Sequence, residues 1–292
     1  MTTIDLDRPT GVVPGVRRKR RFPIWPIISI LILTIAAILV VAPIAWAFST
    51  SLRTPAESFN NPPQWIPTNP DFSNYKAVFQ QVPLWRFIGN SIFVTGLIVI
   101  GQIITSTMSG YAFAMVRFRG RGLLFALILS TMMVPLQATI IPVFLLIKYL
   151  GLVDTRFSLV LPALGSAFGT FLMRQYFLQM PHELGEAARV DGASQFQVFY
   201  RIYAPMALAP MATLAVLTFS AYWNEFFRPL IFLTSGNKFT LPLGLVLLQG
   251  NLGTGSISIV LAGVIIALIP SVIVFLAAQR YFVEGIVAGS FR

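Results

Sequence analysis

The chain has no cysteine, one histidine and few charges. The missing thiols exclude disulfides, thiol catalysis and thiolate metal sites. His182 stands alone, whereas a metal centre or a histidine-based active site needs several convergent groups; it reads as a surface or capping residue. No Gly-x-x-x-x-Gly-Lys-Ser/Thr run occurs, so the chain has no loop to cradle nucleotide phosphates. Charged residues make up 11% of 292, and the ten acids lie almost wholly outside the apolar runs. No carboxylate pair sits inside those runs, which argues against proton-coupled transport.

What is there is hydrophobic: 56% of residues, gathered in stretches too long for the core helices of a soluble domain. A hydrocarbon layer of ~30 Å takes roughly 20 helical residues. Six segments meet that length, at about 24–50, 86–113, 123–147, 157–177, 206–231 and 257–280. The chain is therefore expected to be an all-α membrane protein with six transmembrane helices and both termini on one side. Of the 21 Lys and Arg, 14 fall on that side, from the cluster Arg17–Arg21 through Arg117, Arg119, Arg121, Arg174, Arg189 and Arg201 to Arg292; the other side holds seven, Arg53, Lys76, Arg86, Lys148, Arg156, Arg228 and Lys238. The excess marks the first side as cytoplasmic, and the formal charge of +11 then needs no nucleic acid to explain it. Residues 17–47 share a basic and an apolar region with secretory signals, but the apolar run is too long, so it reads as a retained first span.

One polar stretch, 181–205, separates the fourth run from the fifth. Pro181 suits a first helical position, and Glu183 and Glu186 sit near the positive helix end. Asp191-Gly192 stops that helix, because Gly readily takes positive φ. Ser194 with Gln197 three residues on predicts a capping box that starts a second helix. Phe196, Phe199, Tyr200 and Tyr203 follow at helical spacings and predict an aromatic ridge on one face.

Glu186-Ala187-Ala188, then Gly192, Ile202 and Pro205 at their fixed distances, resemble the EAA loop of permease subunits of ABC-type importers. One position departs: the residue before Pro205, usually Leu, is Ala204. The resemblance implies a type I permease core with a cytoplasmic loop that docks into a cleft of a separate ATPase subunit. Its coupling residues would be Glu186, Ala187, Ala188, Asp191, Gly192, Phe196, Phe199 and Tyr203. It further implies a related second permease subunit, two ATPase subunits carrying ATP and Mg²⁺, and an extracytoplasmic solute-binding protein, in a bacterial or archaeal cytoplasmic membrane. The run 59–67 with Asn74-Tyr75-Lys76, the stretch Trp223 to Leu230 and Thr240 to Leu245 are similar to the sugar-importer branch. Gln279 to Gly289 is similar to the ending of the maltose-type second permease, whose tail contacts the ATPase dimer; Ser290-Phe291-Arg292 departs from it.

The remaining segments read as follows. Residues 1–23 form a disordered basic tail, 51–85 a proline-rich external loop without regular structure, 86–280 a five-helix core and 281–292 a cytoplasmic tail. In the second span Gln102, Thr105, Ser106, Thr107 and Ser109, with Gly101 and Gly110, suit helix contacts or a water-lined path. Pro135 and Pro142 predict a kinked third span. Ser106, Gln137, Thr218 and Ser220 are the candidate pathway residues, since uncharged hydrogen-bonding groups suit a sugar hydroxyl. Asn224, Glu225 and Arg228 are the candidate outer gate, with Glu225 and Arg228 three apart and able to pair. A self-sufficient secondary transporter would show intramembrane ionisable residues or an internal repeat, and a membrane enzyme a convergent catalytic set. The expected protein is a passive transport subunit for a sugar or polyol, not an enzyme. The purified chain is expected neither to bind nor to hydrolyse ATP; specific nucleotide binding seen by calorimetry would contradict this.

Overall fold

Three of the six apolar runs fold as unbroken helices and three as bent pairs in the computed structural model, which describes residues 24–54, 65–67, 69–250 and 255–290. For residues 24, 27 and 280–290 only the backbone is described. Among the described residues, three helices are long and apolar enough to cross a membrane, or six if each bent pair is one span. The chain divides into two units at Ala45. The first is the greater part of α1 (Ile24–Ser51), whose Ile30, Leu33, Leu39 and Val40 are all exposed. A helix that is apolar all round is one suited to hydrocarbon.

The second unit begins with the last turn of α1, which is fastened to α2 (Ser73–Gln81). Asn74 Nδ2 donates to the carbonyls of Ser51 and Arg53 at 2.9 and 2.7 Å, and the Ser51 and Tyr75 hydroxyls lie 2.8 Å apart. The expectation of no regular structure across 51–85 is corrected here: Pro70 and Pro83 bracket a helix, and Val78 is fully buried in its packing. The quoted run 59–64 and the tail 1–23 lie outside the described residues.

α3 (Leu84–Met115) organises this unit. At ~1.5 Å per residue its 32 residues span about 48 Å. Phe87, Ser91, Thr95, Ile98, Gln102, Ser106 and Gly110 recur at three or four and form its buried face. α4 (Arg121–Ser130), a 3₁₀ turn over Thr131–Met133 and α5 (Leu136–Tyr149) replace the expected kinked third span, with a bend of 105°. The kink is a break because Val134, preceding Pro135, is driven to extended backbone (φ −87°, ψ 117°). α4 buries none of its residues.

The fourth run is α6 (Phe157–Val160) with a 3₁₀ turn and α7 (Ala167–Phe177), bent by 40°. Ser166 caps α7 by accepting from the Gly169 amide at 2.9 Å. The carbonyls freed at this break are satisfied by α3: Gln102 Nε2 donates to Ala163 O and Thr105 Oγ1 to Leu164 O, both at 2.7 Å. Close approach makes this possible. A Cβ on Gly110 would lie 2.5 Å from Met173 Cβ and 2.8 Å from the Arg174 amide nitrogen, so only glycine fits.

The polar stretch holds α8 (Glu183–Val190) and α9 (Gln195–Val198), and α10 (Ala204–Met206) leads from it into α11 (Leu208–Trp223). The expected fifth span 206–231 ends early: Asn224–Phe226 separate α11 from α12 (Phe227–Phe232). α13 (Leu241–Leu245) precedes α14 (Ile257–Ser290), which runs helically through most of the expected tail at 281–292. Gly110→Val is expected to cost about 1–3 kcal/mol through overpacking, whereas Gly89→Ala, on the same helix with open space around it, should be neutral or slightly stabilising. Thermal melting of the purified subunit checks the pair.

Candidate functional site

The polar stretch forms two short helices set at the end of α7. α8 carries Glu183 and Glu186 in its first turn and Arg189 in its last, each favourable to the helix dipole. It ends in a Schellman arrangement: Gly192 takes φ +86°, its amide donates to Arg189 O at 3.0 Å, and the Ala193 amide donates to Ala188 O at 2.9 Å. The Ser194 capping box then starts α9, with Gln197 N donating to Ser194 Oγ at 3.3 Å and Ser194 N to Gln197 Oε1 at 2.7 Å. Glu186, Ala187, Asp191 and Gly192 are exposed, and Ala188 is half-buried against the cluster beneath.

The aromatic ridge requires correction. Residues Phe199–Tyr203 form a π-helical turn, which shifts the register and splits the four rings. Phe196 (62% exposed) and Tyr200 point outward, their centroids 5.4 Å apart, and Arg201 lies over the Tyr200 ring. Tyr203 is 2% exposed; its hydroxyl donates to Pro181 O at 3.0 Å and its ring covers Gly185. Phe199 packs inward beside it. Tyr203 therefore shapes the loop from below and presents no surface. Leu184 and Val190, the latter 87% exposed, are further apolar side chains that the loop leaves outside, and neither was singled out in the sequence.

Tyr111 of α3, also not singled out, is where the loop meets the bundle. Its ring lies 5.0 to 5.8 Å from those of Phe199, Tyr203 and Phe177, and Gln195 Nε2 donates to its hydroxyl at 2.8 Å. A tyrosine inside an apolar span, directly after Gly110, was the available signal.

The four candidate pathway residues are not brought together. Ser106 is fully buried beside Gly169, and Thr218 is buried with its hydroxyl on Gln102 Oε1 at 3.0 Å. Both serve helix contacts and neither faces water in this conformation, which corrects that expectation. Gln137 and Ser220 are exposed.

At the other end of the core, Glu225 and Arg228 form the expected pair, a two-point contact in which Arg228 Nε meets Oε1 and Nη2 donates to Oε2 at 2.6 Å. Arg228 is 5% exposed and lies over the Tyr222 ring, while Asn224 is exposed with its amide on Ser220 O. Nearby, Asp154 accepts from the amides of Thr234 and Ser235, the Ser235 hydroxyl and Lys238 Nζ at 2.8 Å. Lys238, then Ser235, hold this carboxyl well below the usual carboxylate range. Among the described residues no group of three His, Cys, Asp or Glu is placed to hold a metal ion.

Residues 102–287 match the family described as binding-protein-dependent transport system inner membrane component. The arabinooligosaccharides transport system permease protein AraQ of Halalkalibacterium halodurans is 35% identical over 259 residues, 88% of this chain and 92% of that protein. The sn-glycerol-3-phosphate transport system permease protein UgpE of Salmonella typhimurium is 35% identical over 266 residues, 89% of this chain and 94% of that one. A chain of a bacterial ABC transporter involved in the import of the acidic polysaccharide alginate is similar with a TM-score of 0.80 and 30% identity, covering 90% of this chain and 98% of its own. Replacing Gly192 by Asp forces a side chain into left-handed backbone and should cost about 1–2 kcal/mol locally. Hydrogen exchange at the Gly192 and Ala193 amides should then accelerate roughly 5- to 30-fold.

Proposed function

The chain belongs to the family of binding-protein-dependent transport system inner membrane components, and on that premise we propose that its 181–205 loop couples a separate ATPase to the import of a sugar or polyol. The observation that carries the reading is that a polar loop exposes the Phe196 and Tyr200 rings, which lie against each other, along with Leu184 and Val190. Two exposed aromatics in contact have the make-up of an interface anchor. Glu186 and Asp191, exposed on the same loop, supply charge for orientation.

A permease subunit of this family is not an enzyme, so hydrolysis, with its ATP and Mg²⁺, falls to the partner. Up to six crossings, if each bent pair is one span, would return both termini to one side, and the basic excess there supports a cytoplasmic face that carries the loop. The assembly we infer contains a related second permease, two ATPase subunits and an extracytoplasmic solute-binding protein, in a bacterial or archaeal cell membrane. Asn224, Glu225 and Arg228, with Gln137 and Ser220, are proposed to border the outer gate and path, and no nucleic acid is involved. Relatives named for arabinooligosaccharides, sn-glycerol-3-phosphate and alginate support a carbohydrate or polyol cargo.

Phe196→Ala or Tyr200→Ala should each weaken ATPase capture by about 2 kcal/mol, roughly 30-fold, with membrane insertion intact. Glu186→Lys should also impair docking by reversing a charge at the patch. Co-purification from membranes checks this; full retention of the ATPase subunits in a Phe196→Ala, Tyr200→Ala double variant would remove the loop from the coupling role.

A further inference from the structure

Only α7 and α11 are joined to the polar loop by the chain itself, yet α3 grips it from the side. Tyr111 is 5% exposed and meets the loop at three levels: Gln195 at the start of α9, Phe199 in the π-turn and Tyr203 at its end. One residue earlier Gly110 lies against the backbone of Met173 and Arg174, so Tyr111 projects from the place where α3 and α7 cannot move apart or together without clash or void. The other end of the same helix is fixed as firmly. Asn90 Nδ2 donates to the carbonyls of Asn237 and Phe239 at 3.0 and 2.9 Å, and Ser91 Oγ accepts from the Leu241 amide at 2.7 Å. Between Asn90 and Tyr111 lie about 32 Å of uninterrupted helix.

We propose that Tyr111 is a positioning residue whose hydroxyl, through Gln195, sets the angle of the coupling loop and passes its displacement into α3. Through α3 the displacement reaches the 237–241 segment at the opposite end of the core. The inference rests on the loop docking an ATPase. Packing by rings alone would leave α9 free to rotate about the Tyr111 face, because ring contacts are tolerant of angle. Among the described residues the directional bond between Tyr111 and the loop is the one to Gln195, an otherwise exposed side chain whose loss opens no cavity.

The experiment uses the complete complex, purified with its own partner subunits and reconstituted in lipid, with solute receptor purified carrying its endogenous ligand. Basal and receptor-stimulated ATP hydrolysis are measured for the unaltered complex, Tyr111→Phe, Gln195→Ala and the double variant. Subunit stoichiometry and basal rate should be unchanged, while stimulation should fall about fivefold in each single variant, the worth of one neutral hydrogen bond, and no further in the double. Unchanged stimulation in Tyr111→Phe, an effect of Tyr111→Phe not shared by Gln195→Ala, or a loss matched by loss of assembly would each overturn the proposal. Absence of stimulation in the unaltered complex would instead overturn the coupling reading on which it stands.

Discussion

A backbone carbonyl without a partner is costly in hydrocarbon, and this constraint governs the core. Three of the six apolar runs are broken, so their free backbone groups have to be met by something other than their own helices. For the break before α7 that something is α3, through Gln102 and Thr105. Gln102 is used at both ends of its amide: Nε2 serves Ala163 O and the Tyr222 hydroxyl, while Oε1 accepts from Thr218. One uncharged side chain thus joins α3, the α6–α7 break and α11, and the small residues Gly101 and Gly110 bring the helices near enough for it to do so.

The same economy explains the two faces of the polar loop. The docking role proposed for it requires exposed apolar rings, and exposed rings alone would leave it loosely held. The π-turn resolves the conflict within five residues by sending Tyr203 and Phe199 inward while Phe196 and Tyr200 stay outside. Anchoring and presentation are then carried by neighbouring residues and can be altered separately.

Much of this was legible in sequence. The unbroken spans are found within a few residues, because hydropathy is summed over lengths that a bilayer imposes. The Ser194 capping box and the turn at Gly192 are local bonds between near neighbours, so local sequence specifies them. The Glu225–Arg228 pair is of the same kind. What escaped depends on geometry that periodicity does not carry. Pro135 announces a kink in the third span but not its 105° size, and equal helical spacing cannot foresee a π-turn that splits an aromatic ridge. Thr218 is polar and Ser106 small for the sake of neighbouring helices, and composition cannot separate those uses from a path for solute. α2 hid among prolines that turn out to mark its limits.

α4 has no buried residue, and in the α5 that follows only Ile140 and Ile147 are buried. The ties that α4 has to its own chain are few: Phe125 lies against the Phe113 ring and under the Arg174 guanidinium, and Arg121 donates to the carbonyls of Ala114 and Val116. Leu123, Leu124 and Leu127 on the same helix are exposed and take no part in those ties. Changes at Leu123, Leu124 or Leu127 would leave the melting of an isolated subunit almost untouched, so this face of the helix is free to answer to whatever lies outside the chain, while Phe125 and Arg121 are not.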